Sequence, residues 1–124
     1  MKIPDNRNVE IDAGLALYVM GYLDKGWHSV AYQDEPVREW QISCRPPKYK
    51  EFKPTASIID AMSVVDKICL THPQEPTFTL TRAHGKRGKW TAVFSHGSTQ
   101  IGSCTDKSRE LAISKAAIKA SEVR

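Results

Sequence analysis

Residues 77–95, TFTLTRAHGKRGKWTAVFS, constrain the fold more than any other stretch of the chain. The first six alternate strictly, with Phe78 and Leu80 on one face and threonines on the other. After AHGKRG, the run KWTAVFS returns with Trp90, Ala92 and Phe94 on one side. Two such runs around a glycine-bearing turn predict a β-hairpin. A third strand, TQIGSC, follows the turn at Gly97. A sheet with one apolar face needs a cover, and the rest of the chain supplies candidates.

Three segments have helical periodicity. NVEIDAGLALYVMGYLDKG predicts a first helix capped by Asn8, with Glu10 and Asp12 in its first turn and Gly26 after its end. Its apolar stripe is Ile11, Leu15, Tyr18, Val19 and Tyr22. Gly14 and Gly21 lie inside it, which suits a second backbone packing close. TASIIDAMSVVDKICLTH predicts a second helix with Thr55 as cap, a stripe of Ile58, Met62, Val65 and Cys69 widened by Ile59 and Ile68, and Pro73 as its stop. TDKSRELAISKAAIKASEV predicts a third, capped by Thr105 or Asp106. Leu111 and Ile118 lie on its stripe, and its small residues allow close approach to a sheet.

Between the first two helices, SVAYQ and REWQISC predict short strands separated by a turn at DEP, with Trp40, Ile42 and Cys44 on one face. RPPKYKEFKP follows, and its three prolines predict a connector without regular structure. The order is α-β-β-α-β-β-β-α. It predicts an α+β protein: a single α-β-α sandwich with a largely antiparallel sheet and three helices. Residues 1–124 make one domain, with 1–8 a flexible N-terminus.

Composition narrows the chemistry. No stretch approaches the roughly 20 apolar residues of a membrane span. The polar start, MKIPDNRNVE, lacks a secretory signal, so a cytoplasmic location is expected. Cys44, Cys69 and Cys104 are odd in number and scattered, as reduced thiols are. His28, His72, His84 and His96 show no metal-ligand spacing, although His84 and His96 flank the hairpin and are candidates to meet at one end of it. No nucleophile elbow, phosphate loop or carboxylate pair stands out, and Asp60 and Asp66 are placed on the outer face of the second helix. Neither an enzyme nor a cofactor is expected.

Charge is the remaining signal. Residues 1–35 carry three basic and six acidic side chains, whereas 36–124 carry fifteen and eight. Arg82, His84, Lys86, Arg87 and Lys89 line the hairpin turn. Arg45, Lys48, Lys50 and Lys53 line the connector, with Tyr49 and Phe52 interleaved. Cations beside aromatics suit an anionic ligand or a nucleic acid. The plainer role of such a turn is a solvated hairpin tip that blunts a sheet edge.

Two families are similar in part. Residues 55–121 run helix, three strands, helix, and IGSCTDKSRELAISKAAIKA resembles the closing helix of double-stranded RNA-binding domains, with Glu110 interrupting the basic run of Lys107 and Arg109. Nearly the whole chain resembles the phage ABA sandwich domain family. Val19, Met20, Gly21 and Tyr22 match its helical segment and Val64 and Val65 its second helix. KWTAVF matches a strand, and Leu111, Ala112, Ile113, Ala116 and Ala117 match the closing helix. Lys50 and Glu51 depart from the small polar residues that follow its P-x-Y segment. This resemblance implies an α-β-α sandwich of phage or prophage origin and no particular activity. The expectation that follows is a small non-catalytic accessory protein that binds in the infected cell. Its partner would be an anionic nucleotide, sequestered in counter-defence, or a host protein. A nucleic-acid-binding module using the hairpin and last helix is the alternative.

Overall fold

The computed structural model describes residues 8–29, 36–42, 45–46 and 48–123, with 25–29 and 36–38 described by backbone alone. The first helix, α1 (Asn8–Gly14), runs directly into a π-helical segment, Leu15–Val19. Asn8 is its first helical residue, not a preceding cap. The wide turn closes through Met20 N–H to Leu15 O and Tyr22 N–H to Ala16 O, both 2.9 Å. This shift of phase buries Ile11, Leu15 and Ala16 and turns Tyr18 outward, which corrects the expected stripe. Helix 1 therefore stops near Val19 and does not continue to Lys25. Gly21 ends it with φ +73°, a left-handed geometry that side-chain-bearing residues resist. Among the described residues, no atom lies within 4 Å of where its Cβ would stand, so none of their backbone packs there.

The chain then forms β1 (Leu23–Ser29), β2 (Pro36–Ile42) and β3 (Lys48–Glu51), an antiparallel sheet in that order. Leu23 pairs with Gln41 and Gln41 with Tyr49; Trp40 pairs with Lys50. The first strand is earlier than expected: of SVAYQ only Ser29 is described, as its last residue. The first two residues of the DEP turn and Cys44 lie outside the described residues. β3 corrects the reading of the connector. Its prolines bracket four residues that lack one, and KYKE is free to pair.

α2 (Ile58–Thr71) is capped by Ser57, whose hydroxyl accepts from Asp60 N–H at 3.3 Å, and not by Thr55. Ala61, Val64, Val65 and Ile68 are its buried face, at i, i+3, i+4 and i+7. Ile59 is 75% exposed, outside the stripe it was expected to widen. β4 (Thr77–Arg82), β5 (Trp90–His96) and β6 (Thr99–Asp106) form the second antiparallel sheet, with Phe78 opposite Phe94 and Leu80 opposite Ala92. α3 (Arg109–Glu122) is capped by Ser108, because Thr105 and Asp106 are still strand; Asp106 Oδ1 accepts from Ser108 N–H at 2.9 Å.

The class is α+β, and the helices and strand blocks follow the expected order. The strands divide into two sheets, and the first block carries β3 in addition. α3 lies on β5 and β6, with α2 and α1 packed against it. It comes so close that a Cβ on Gly102 would stand 2.5 Å from both Ala116 O and Ala120 N. Ala112, Ala116 and Ala120 are fully buried, so the small residues of α3 do allow close packing. The helices thus gather at one face of β4–β6, whose other face carries mostly threonine and serine around Val93. Trp40 and Phe52 join the same core as the helices and the second sheet. Among the described residues, no helix is long and apolar enough to cross a membrane.

Candidate anion-binding site

Arg82 and Trp90 are the last pair of the β4–β5 ladder, and Ala83 N–H to Lys89 O, 3.0 Å, closes the loop behind them. Gly88 allows this turn: a Cβ there would overlap Ala83 O at 2.0 Å. Gly88 N–H donates to Gly85 O at 3.2 Å within the loop, and His84, Lys86, Arg87 and Lys89 are all exposed. With Thr91 and Thr105 the loop lines an open hollow of about 630 Å³. The two threonine hydroxyls are 2.9 Å apart. One donates to the other, which leaves a single hydroxyl proton for a further acceptor. No acidic residue occurs in 81–90, so three fixed cations meet here without local compensation.

Arg82 is not part of that hollow. It shares the Phe78–Leu80 face by alternation, and its guanidinium lies 5.9 Å from the Trp90 ring centroid. Arg109, paired with Glu110 at 3.0 Å, lies 5.8 Å from the same ring. Arg82 is therefore engaged with Trp90, and the charged or titratable residues that line the hollow are His84, Lys86, Arg87 and Lys89. His84 and His96 do not meet, since they lie at opposite ends of β5.

The connector residues sit on the other sheet. Arg45, Lys48 and Tyr49 are exposed. Lys50 is not available in the same way. Its Nζ lies 3.1 Å from Asp60 Oδ1 and 5.3 Å from the Phe52 ring, which leaves it half-buried. The other Asp60 oxygen accepts from Lys53 N–H at 3.0 Å, and Lys53 Nζ pairs with Glu51 at 2.6 Å. Asp60 thus ties the connector to α2 and does not merely face solvent. The pattern Ser57-x-x-Asp60 marked that helix start in the sequence.

A second carboxylate was not legible at all. Asp12 accepts from Thr55 N–H at 2.9 Å and from Thr55 Oγ1–H at 3.0 Å. Burial pushes its pKa up to about 6, against the pull of those hydrogen bonds and of Lys53. The partners lie 43 residues apart, a separation that carries no local signal. His72 is also committed: its Nδ1 accepts from Gln74 N–H while Nε2 bonds Ala120 O and Val123 O, pinning the ends of α2 and α3 together. Cys69 and Cys104 are half-buried, and burial, with Asp66 nearby, raises the Cys69 thiol. Among the described residues, no three His, Cys, Asp or Glu side chains are grouped to hold a metal.

No family profile, curated protein or solved structure matches the chain.

Proposed function

We propose that this is a non-catalytic binding protein whose β4–β5 loop holds an anionic ligand. One observation carries the reading. Lys86, Arg87 and Lys89 line one open hollow together with a threonine hydroxyl pair, and no acidic residue lines it. The resemblance to the phage ABA sandwich family extends the proposal: an accessory protein of a phage, acting in the cytoplasm of the infected cell, with counter-defence as one such task.

Two kinds of anion were expected, a small nucleotide and a nucleic acid. A nucleotide needs enclosure and an apolar wall for its base. The hollow is open, and its lining contains no aromatic side chain except the His84 imidazole. That geometry favours an extended polyanion, which the alternative reading of the sequence also named. Capture of a host protein would require an acidic patch on the partner.

The first test is the 260/280 nm absorbance ratio of protein purified from lysate, before and after a high-salt wash. A raised ratio that falls in salt supports a bound polyanion. A raised ratio that resists salt supports an enclosed nucleotide. A protein-like ratio throughout counts against both and favours an acidic protein partner.

A further inference from the structure

The face of the β4–β6 sheet turned away from α3 is exposed along β4 and half-exposed along β5. Thr77, Thr79 and Thr81 stand along β4 and are all exposed. Across the sheet, Thr81 pairs with Thr91 and Thr91 with Thr105; in the next row Thr79 pairs with the half-buried Val93 and Val93 with Ser103. No acidic residue falls on this face. Its upper end is the Lys89 side of the loop, and at its β6 edge Lys119 Nζ donates to Ser103 O at 2.9 Å. The Thr79 and Thr81 hydroxyls make no bond within the described residues.

We infer that this threonine face, continued by the basic loop, seats the sugar–phosphate backbone of a nucleic-acid duplex. The inference rests on the anion-binding reading of the loop and names the ligand class. Three features favour a backbone. Cations lie at two borders of a face without acids, which complements a polyanion. Small hydroxylated side chains let a strand approach closely and donate to phosphate oxygens, contacts that fix position without reading sequence. Their repeat along β4, roughly 6.7 Å for two residues, is close to the separation of successive phosphates.

A fourth feature favours a duplex over a single strand. Phe78 and Phe94 lie on the opposite face, 4.9 Å apart, with Trp90 beside them against the core. A splayed base would find no ring to stack on, and stacking is what holds single strands on proteins of this size. In a duplex the bases stack on one another and only phosphates need partners.

The test is an anisotropy titration of the full chain with a short DNA duplex, an RNA duplex of the same sequence, each single strand, and ATP. The duplexes are expected to bind at least about tenfold tighter than the strands. Thr79→Glu with Thr81→Glu is expected to weaken duplex binding about tenfold by placing two negative charges against phosphates. Thr79→Val with Thr81→Val keeps the strand's shape and propensity and is expected to cost about threefold. Should the glutamate pair fail to fold, the valine pair decides. A preference for DNA or for RNA supports the inference and identifies the sugar. Equal affinity for single strands overturns it, as does duplex binding that both face variants leave unchanged. If Lys86→Ala, Arg87→Ala and Lys89→Ala together abolish binding while the face variants do not, the loop reading stands and the face inference falls. Binding of ATP with no duplex binding has the same meaning. No binding of any of these ligands overturns both.

Discussion

The Asp12 carboxylate is held in the protein by two hydrogen bonds from Thr55, yet burial raises its pKa from 3.8 to about 6. Between those values the folded protein keeps a proton that the unfolded chain has released. Stability therefore falls as pH rises from about 4 to about 6, by on the order of 1 kcal/mol once solvent screening is allowed for. Asp12→Asn retains an acceptor for Thr55 N–H and offers a donor to Thr55 Oγ1. It is expected to flatten that part of the pH–stability curve in urea unfolding and to match or exceed the native protein at pH 7. A parallel decline in the variant would show that other groups set the slope. Ser114 is fully buried on α3, and its hydroxyl has no partner among the described residues. Ser114→Ala is expected to stabilise the protein by about 1 kcal/mol. Gly102→Ala forces a methyl into the α3 backbone and is expected to cost at least about 3 kcal/mol, visible as a large drop in Tm.

At the scale of elements, the hairpin was legible because its two faces differ at every second residue and a glycine-bearing turn interrupts them. β3 was not, because three prolines in ten residues conceal four that can pair. The end of helix 1 was hidden for another reason. Its π segment is a change of hydrogen-bond spacing that the apolar period does not announce, and Gly21 looked like an interior defect where it is a terminus. The site was half legible. Composition located the basic loop, while the assignment of Arg82 to it overlooked that Arg82 shares the parity of Phe78 and Leu80. Arg82→Ala is therefore expected to cost roughly 0.5–1 kcal/mol of stability through Trp90, with ligand affinity within about twofold of native. A loss of binding with unchanged stability would return Arg82 to the site. Lys50 was misjudged because its partner Asp60 stands on a different element.

For the molecule as a whole, the arrangement separates two jobs. The helices collect on one side, with the aromatic residues of β4–β6 beneath them. The opposite side is left with threonines and serines around Val93, and with the cationic loop. Glu10 and Asp12 lie on α1 and Asp24 on β1, so these acids stand outside the β4–β6 sheet that carries the loop. The resulting field would steer a polyanion to the loop, and the steering would weaken steeply with salt. The most direct test is the salt dependence of duplex affinity for the native protein and for the Lys86→Ala, Arg87→Ala, Lys89→Ala variant. Three phosphates neutralised predict a slope of log K against log salt of about −3 for the native protein, reduced to near zero in the variant, whose stability stays within about 0.5 kcal/mol. A native slope near zero, or an equal slope in the variant, would contradict the assignment of the β4–β5 loop as an anion-binding site.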